Sequence, residues 1–310
     1  MKKYFLLPAI CICFLFILSY LQTYRIKAQE TSSPALTVYF FSIGQGDSSL
    51  IHTPENKWIL VDGGPDSESA VSAMHPILPF FAGKIDLMVL SHPHKDHIAG
   101  LIKVLDTYAV GSILMYGVSE NDLQEQFIAK SMEKGIPIIS ADPLIDLQID
   151  AVTYVDVLSP LENADSEEKN INNLSVMFML KSGAHTFLYT GDAEEEQERQ
   201  LLLSQSYLDA DILKGGHHGS KTSSSIPFLD AVSPDLVVYM NGLDNSFGHP
   251  DTQTLEHLDE KHIPYFNTSL NGTIVVTCPL KEQKCTSTSE RSLHGVKFYP
   301  SNISVYSTEM

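Results

Sequence analysis

The stretch that decides the fold is SHPHKDH, residues 91–97, which places three histidines and an aspartate within six residues. An apolar run of strand length, IDLMVL, precedes it, and the amphipathic sequence IAGLIKVL follows it. Ionisable side chains crowded between a buried strand and a helix are typical of a metal site. When this stretch is taken alone, however, a polar surface loop is the simpler interpretation.

Three further groups of potential metal ligands follow other apolar runs. Asp192 follows HTFLYTG, His217 and His218 follow ADILKGG, and His249 follows VVYMNGLDNSFG. Loops at the carboxyl ends of separate strands can converge on one edge of a sandwich of two sheets. We therefore predict that all four groups build one site.

The spacing within HPHKDH favours two metal positions. In extended backbone the alternating His92 and His94 point to one side, whereas Asp96 and His97 can turn toward a second point. That arrangement suits two divalent ions about 3.5–4 Å apart with one bridging carboxylate. Asp192 is the natural bridge because it stands alone after its strand.

The N-terminus has the layout of an export segment. Two lysines precede an apolar run from about Tyr4 to Leu21, and Ala28–Gln29 is a suitable cut site. We predict a signal peptide over residues 1–28, with an uncleaved membrane anchor as the close alternative. The rest of the chain is then exported, either secreted or tethered to the outer face of the cytoplasmic membrane, and meets the membrane only through this segment.

The charge of the exported part bears on its substrates. Residues 1–28 hold four basic residues and no acidic ones, so the remainder has 16 basic and 38 acidic residues, a formal charge of −22. Such a body repels nucleic acid at long range. Nucleic acid is therefore disfavoured as a substrate, whereas an anion held locally by metal ions is not excluded.

Cys278 and Cys285 flank the sequence PLKEQK in the exported part. Disulfides persist outside the cytoplasm, so we predict that these two cysteines pair. Two free thiols that bind a metal are the alternative, although the spacing is wrong for a zinc knuckle.

Strand-like runs alternate with helical segments in two halves of the chain. This pattern predicts an α/β (α+β) fold in which two sheets are covered on the outside by helices. A charged surface loop at about Leu161–Ile171 separates the halves. The predicted helices are Ser67–Phe81, Ile98–Tyr108, Asn121–Lys134, Ala193–Gln205, Ile226–Val232 and Asp251–Lys261.

Several of these stretches resemble known families. HPHKDH resembles the HxHxDH motif of the metallo-β-lactamase superfamily, and VDGG, which holds Asp62, resembles its first motif. The hydrolase domain of the ComEC competence family is similar in SIGQGDSSLI, SHPHKDHIAG, NNLSVMFML, YTGDA, ILKGGHHGSKTSSS, FGHP and NGTIVVTC. Secreted phosphorylcholine esterases share HxHxDH more distantly. The resemblance implies a four-layer αββα sandwich over residues 37–280, after a linker at 29–36 and before a C-terminal extension at 281–310.

The resemblance also implies a set of site residues. Asp62 would brace the metal loops, and Asp96 and Asp192 would be catalytic. The implied metal ligands are His92, His94, Asp96, His97, Asp192, one of His217 and His218, and His249.

Two departures from the superfamily pattern stand out. The lone histidine before the TGD aspartate is absent, and Asn172, Asn173 and Ser175 occupy that region. The competence family shares this departure, with the HHG pair supplying an imidazole. Asp251 stands where competence proteins often have a further histidine, which puts one substrate contact in doubt.

Residues around the ligands are candidates for substrate contacts or for support of the site. Lys214 and Lys221 flank HHG, and lysines near a bound phosphate stabilise developing charge. A solvated loop is the plain alternative for both lysines. Ser220 and Asn173 offer polar groups, and the turn Gly44–Asp47 is interpreted as structural or as lying behind the ligands.

The combined features predict an exported, binuclear metal-dependent hydrolase of phosphoester bonds, most simply phosphodiesters, that uses a metal-bridging hydroxide. The histidine-rich shell favours two zinc ions, and the carboxylates keep manganese as the alternative. We expect a small-molecule or cell-wall phosphoester as substrate. A DNA-processing nuclease and a non-catalytic metal-bound binding module are the rival functions.

Overall fold

The computed structural model describes residues 34–79, 83–117, 121–161, 170–204, 206–281, 284–291 and 304–307. The predicted export segment, most of the predicted linker and most of the predicted loop between the halves lie outside these residues. Within the described ranges, the structure contains no helix with the length and apolar character needed to cross a membrane.

Strands account for most of the regular structure. In chain order they are β1 Ala35–Phe40, β2 Ser49–His52, β3 Trp58–Val61, β4 Lys84–Leu90, β5 Ala109–Met115, β6 Ile138–Ser140, β7 Asp146–Gln148, β8 Thr153–Ser159, β9 Met177–Ser182, β10 His185–Tyr189, β11 Ile212–Lys214, β12 Leu236–Tyr239, β13 Tyr265–Asn267, β14 Ile274–Pro279, β15 Thr286–Ser289 and β16 Ser304–Ser307. They form a nine-stranded sheet, β16-β15-β14-β1-β2-β3-β4-β5-β6, and a seven-stranded sheet, β13-β12-β11-β10-β9-β8-β7.

Each sheet has a parallel part that carries the ligand loops. Strands β3 to β6 pair in parallel in the first sheet, and β10 to β13 do so in the second. Neighbouring parallel strands end at the same edge of their sheet, so the loops after them are close together. This is why β4, β10 and β11 can deliver side chains to one place.

Helices cover the outer faces of both sheets. They are α1 Ser69–Met74, α2 Lys95–Thr107, α3 Asp122–Glu133, α4 Glu195–Leu203, α5 Ile226–Val232, α6 Thr252–Glu260 and α7 Thr268–Asn271. One apolar cluster joins the first sheet to α1, α2 and α3, and another joins the second sheet to α4, α5 and α6.

A third apolar cluster fills the space between the sheets. Leu36, Val38 and Phe40 contribute to it from β1, where they alternate with half-buried residues. This two-residue period places one face of the strand in the core. The predicted four-layer αββα sandwich is therefore confirmed.

Two helices differ from their predicted bounds, and the difference in the second affects the site. Helix α1 ends at Met74 because Pro76 and Pro79 prevent a regular continuation, so the predicted helix to Phe81 is too long. Helix α2 begins at Lys95, three residues before the predicted start. Asp96 and His97 consequently lie in its first turn, where the helix dipole favours a carboxylate.

The predicted C-terminal extension contributes two strands to the first sheet. Strand β15 pairs antiparallel with β14, and β16 pairs in parallel with β15. Their sequences, TSTS and SVYS, are short and polar, so apolar periodicity alone does not reveal them.

The predicted disulfide is present and joins Cys278 at the end of β14 to Cys285, one residue before β15. Closing this short loop restricts the unfolded chain.

In the presence of a chelator, we expect the Cys278→Ala/Cys285→Ala double variant to lose about 2 to 3 kcal/mol of unfolding free energy. Urea denaturation measures the loss, and reduced wild type is the control. A loss under about 0.5 kcal/mol would contradict this expectation.

Glu198 of α4 is a buried carboxylate that holds the start of α5. Its Oε1 accepts from Ser224 N at 2.6 Å, and its Oε2 accepts from Ser225 N at 3.0 Å. Burial raises the pKa of Glu198 to about 7, although these N–H groups favour the ionised form. This pKa exceeds the ordinary 4.5, so between about pH 4.5 and pH 7 folding takes up a proton. The free energy of unfolding therefore falls as the pH rises through this range.

We therefore expect wild type to lose about 2 kcal/mol of unfolding free energy relative to Glu198→Gln between pH 5.5 and pH 8. Urea denaturation in a chelating buffer at several pH values measures the difference. Glu196→Gln, an exposed neighbour on the same helix, is the matched control and should follow the wild-type profile. Parallel pH profiles for wild type and Glu198→Gln would disprove this assignment.

Candidate active site

The four groups of predicted ligands meet at one edge of the sandwich. His92 and His94 lie between β4 and α2, and Asp192 lies between β10 and α4. His217 and His218 follow β11, and the loop that starts after β12 supplies the remaining histidine, His249. The resulting centre contains His92, His94, Asp96, His97, Asp192, His217, His218 and His249.

Asp192 occupies the middle of this centre. Its Oδ2 lies 3.3 Å from Nε2 of both His97 and His218. The same oxygen lies 3.8 Å from His92 Nε2 and 3.9 Å from His217 Nε2. Four imidazoles thus surround one buried carboxylate oxygen, which is the position that a bridging ligand requires.

The donor atoms divide into two sets that share Asp192. On one side, Asp96 Oδ2 lies 3.1 Å from His218 Nε2 and 4.0 Å from His97 Nε2. On the other side, His92 Nε2 lies 3.0 Å from His94 Nδ1. His217 completes the second set, so each set combines imidazoles with the shared carboxylate.

The turn between β11 and α5 explains how both histidines of HHG reach the site. His217 and His218 have φ values of 45° and 55°, in the left-handed region that non-glycine residues seldom adopt. Such backbone costs about 1 kcal/mol or more per residue and persists where surrounding structure fixes it. The sequence predicts one ligand from this pair, whereas the structure brings both within 4 Å of Asp192.

Fixed hydrogen bonds orient two of the imidazoles. His97 Nδ1 donates to Asp62 Oδ2 at 2.9 Å, and Asp62 also accepts from the Ser91 N–H at 2.8 Å and hydroxyl at 2.7 Å. His218 Nδ1 donates to Met240 O at 2.8 Å. A ring whose Nδ1 donates presents an Nε2 lone pair, the arrangement common in metal-bound histidines. Asp62 thereby braces the metal loop.

Asp47 lies directly behind the ligands, one of the two roles that the sequence left open for its turn. Its Oδ1 lies 3.2 Å from His218 Nδ1, and its Oδ2 forms an ion pair with Lys214 Nζ. Asp47 N donates to Asp96 O at 3.1 Å, and a Cβ on Gly46 would overlap that same oxygen. The glycine in GQGD was therefore the available signal that this turn packs against the ligand helix.

The structure decides whether Lys214 contacts a substrate or supports the site. Its side chain is only 3% exposed, and Nζ donates to Gly191 O at 2.8 Å besides pairing with Asp47. Burial would lower the pKa of Lys214, but Asp47 and Asp192 outweigh it and raise the pKa. Lys214 is therefore an internal counter-charge behind the ligands and does not reach a substrate.

The other predicted residues lie around this core. Lys221 is exposed, and the Ser220 hydroxyl lies 3.0 Å from that of Thr222. Asn173 Oδ1 accepts from Glu194 N at 3.2 Å and so fixes the loop after Asp192. The sequence did not single out Glu194, whose Oε1 lies 3.3 Å from Nδ1 of His217.

His249 completes the edge of the centre. Its ring centroid lies 5.6 Å from that of His217 and 6.4 Å from that of His218. The backbone is held by Asn245 Oδ1, which accepts from His249 N at 2.8 Å. Burial, followed by the charges of His218 and His217, lowers the pKa of His249 to about 4. The neutral imidazole, which can bind a metal, therefore prevails near neutral pH.

The donor set fits divalent metal ions. His97 Nε2 and Asp192 Oδ1 are buried, and neither forms a well-aligned hydrogen bond to any described residue. Burial would lower the pKa of His97 and of His218, but the nearby carboxylates together outweigh it and raise both: Asp192 and Asp62 for His97, and Asp192 and Asp47 for His218. The carboxylates that favour protonated imidazoles here also attract a metal cation. Asp47, His97, Asp192 and His218 have ligand atoms within 4.8 Å of one another, as one metal ion requires.

Comparisons with known proteins agree with this geometry. Residues 42–242 match the family model of the metallo-beta-lactamase superfamily. The chain is 30% identical over 254 residues to ComE operon protein 3 of Bacillus subtilis (strain 168), covering 76% of this chain and 32% of that protein. It is 30% identical to competence protein ComA of Neisseria gonorrhoeae, covering 81% and 33%. The chain thus spans about a third of the length of these relatives.

A shorter relative and a solved structure are also similar to this chain. The chain is 27% identical to the probable metallo-hydrolase YhfI of Bacillus subtilis (strain 168), covering 54% of this chain and 69% of that protein. A CmlA beta-hydroxylase variant has a similar fold, with a TM-score of 0.52 and 13% identity over 79% of this chain and 54% of the other. The fold, the buried His/Asp centre and the family match together identify the chain as a metal-dependent hydrolase that belongs to the metallo-β-lactamase superfamily.

Proposed function

We propose that this hydrolase cleaves phosphodiester bonds with two divalent metal ions, zinc in preference to manganese. The observation that carries the proposal is the position of Asp192 Oδ2 between two sets of imidazoles, one with His97 and His218 and one with His92 and His217. Divalent ions bound there would supply Lewis acidity and a water of lowered pKa, the two requirements of phosphodiester hydrolysis.

The residues of the centre divide by exposure into a buried group, called the floor, and a partly exposed group, called the rim. His92, His97, His218 and Asp192 are buried and form the floor. The side chain of Asp96 is 32% exposed, and it lies at the rim with the partly exposed His94, His217 and His249. A substrate therefore approaches from the rim, where the free part of the Asp96 carboxylate can accept a proton from an attacking water.

Buried support residues hold the floor rigid. Asp62 fixes the ring of His97, and the Asp47–Lys214 pair lies behind His218. Preorganised groups of this kind lower the cost of stabilising charge in the transition state because they need no rearrangement during the reaction. The same packing excludes water from the inner side of the centre.

A small or cell-wall phosphodiester fits the surface better than nucleic acid does. The exported part has a formal charge of −22, and Glu194, Glu195 and Glu196 follow Asp192 closely. Carboxylates beside the site repel a long polyanion. Lys221, exposed three residues after His218, is the cation that we propose meets a single phosphate.

A nuclease is the second candidate, and a specific observation favours it. Two relatives matched over most of this chain are named for competence and recombination, namely competence protein ComA and recombination protein 2 of Haemophilus influenzae (strain ATCC 51907 / DSM 11121 / KW20 / Rd). DNA is itself a phosphodiester, so the two candidates share the bond and differ in the size of the substrate.

The proposed location is outside the cytoplasm, by secretion or by an N-terminal anchor. The disulfide Cys278–Cys285 supports it because such bonds persist in oxidising compartments. Alkylation of intact cells before lysis tests this proposal. We expect both cysteines to resist alkylation until a reductant is added, whereas immediate alkylation would indicate a reducing compartment.

An assay panel on the metal-loaded full chain tests the activity. We expect hydrolysis of bis-(p-nitrophenyl) phosphate and p-nitrophenyl phosphorylcholine, slower cleavage of p-nitrophenyl phosphate, and none of nitrocefin. Asp106→Asn, on the exposed side of α2, is the matched control and should keep full activity. Degradation of DNA at physiological salt with little cleavage of small diesters would favour the nuclease, and inactivity on every phosphoester would refute the proposal.

A further inference from the structure

A second group of metal-binding atoms lies at the other end of β10 from Asp192. His185 begins that strand and packs against the disulfide between Cys278 and Cys285. All three residues are buried, and one ligand atom from each lies within 4.8 Å of the others. The active-site residues are at the carboxyl end of the strand, so this group is separate from them.

Two distances from His185 Nδ1 are close to those between ligands on one tetrahedral zinc ion. His185 Nδ1 lies 3.4 Å from Cys285 Sγ, and two such ligands at ordinary zinc bond lengths are about 3.5 Å apart. Asp211 Oδ2 lies 3.5 Å from the same nitrogen, where about 3.3 Å is expected. On metal binding the two sulfur atoms would separate from their bond to about 3.8 Å. The Asp211 carboxylate would also move toward them, because the ligand atoms already within 4.8 Å of one another are those of His185, Cys278 and Cys285.

Neighbouring backbone groups orient the two non-sulfur ligands. His185 Nε2 lies 3.3 Å from Pro279 O, and a ring that donates there presents its Nδ1 lone pair to the sulfur. Asp211 Oδ2 accepts from Thr186 N at 2.9 Å, which holds the carboxylate beside the ring. The Asp211 side chain is about one-third exposed and gives an ion a path from solvent.

We propose that the dithiol form of the chain binds one thiophilic divalent cation such as Zn²⁺. The ligands are Cys278, Cys285, His185 and Asp211. An external dithiol exchanges with the disulfide, becomes a disulfide itself and leaves two protonated thiols on this chain. The cation then displaces both thiol protons, so the net release is two protons per ion bound. The disulfide and the metal are alternative states of the same cysteines.

The metal form would link parts of the fold that the disulfide alone does not join. The disulfide connects β14 to the residue before β15 within the first sheet, whereas His185 begins β10 and Asp211 precedes β11 in the second sheet. A cation held by all four residues therefore ties the two sheets together when the covalent bond is reduced. The proposal uses no active-site residue and does not depend on the substrate.

Cobalt titration tests the proposal because thiolate ligands give Co²⁺ a near-ultraviolet charge-transfer band. The candidate active site contains no cysteine, so this band reports the second group alone. We would use the full chain with Cys11→Ser and Cys13→Ser, in oxidised form and after reduction by a phosphine that is then removed. We expect a band that saturates at one ion per chain in the reduced protein and is absent from the oxidised protein.

Variants distinguish a built site from two free thiols. Cys278→Ser should abolish the band, and His185→Gln should weaken binding by at least about tenfold. His75→Gln, a histidine outside both groups, should leave the affinity unchanged. Binding that His185→Gln leaves unaffected, the absence of the band, or loss of the near-ultraviolet circular dichroism of the fold on reduction would each overturn the proposal.

Discussion

Asp192→Asn is expected to lower hydrolysis by at least about 1,000-fold and to abolish tight metal binding. The substitution keeps the size of the side chain but removes the charge that faces His97, His218, His92 and His217. Both sets of ligands share this carboxylate, so its loss weakens both at once. Elemental analysis of the purified protein and the rate on bis-(p-nitrophenyl) phosphate measure the two effects.

The fold should survive that change. Asp192 N donates to Ser175 Oγ at 3.0 Å, a backbone bond that does not need the carboxylate. Far-ultraviolet circular dichroism of Asp192→Asn should therefore match wild type. Asp106→Asn controls for the removal of any one aspartate and should keep its metal. A variant that retains wild-type metal content would contradict the bridging role.

Lys214→Met is expected to cost about 3 to 5 kcal/mol of unfolding free energy in the metal-free protein. The methionine nearly matches the volume of lysine but leaves the buried Asp47 carboxylate without its ion pair. It also removes the donor to Gly191 O. Urea denaturation in a chelating buffer measures the loss.

A surface pair provides the matched control for Lys214. Lys181 Nζ lies 2.6 Å from Asp156 Oδ2, yet the Lys181 side chain is nearly half exposed. Lys181→Met should cost about 1 kcal/mol or less because solvent already screens that pair. The Asp47→Asn/Lys214→Met double variant should recover part of the loss, since no buried charge is then left unpaired. Equal losses for both lysine variants would refute the buried-pair explanation.

The part of the site that depends on local sequence could be predicted. His92, His94, Asp96 and His97 follow one buried strand directly, so strand length and residue type suffice to place them together. The grouping of separate loops at one sheet edge also followed from the alternation of strands and helices. The disulfide was predictable because only one pair of cysteines lies outside residues 1–28, the predicted export segment.

What could not be predicted depends on contacts between distant residues. Lys214 lies in a strand and looks like a substrate-binding cation until its partner Asp47, 167 positions earlier, is seen beside it. The left-handed backbone of His217 and His218 is fixed by tertiary packing, and local preference opposes it. Strand β15 is recruited by its pairing with β14, with no apolar pattern of its own.

Zinc titration of the metal-free, oxidised full chain tests the central claim most directly. Zinc binding and hydrolysis of bis-(p-nitrophenyl) phosphate are followed in the same sample, with Asp192→Asn in parallel. We predict that activity rises until two ions are bound per chain and that the variant neither binds tightly nor gains activity. Full activity without metal, or equal binding by wild type and Asp192→Asn, would contradict a metal-dependent hydrolase centred on this carboxylate.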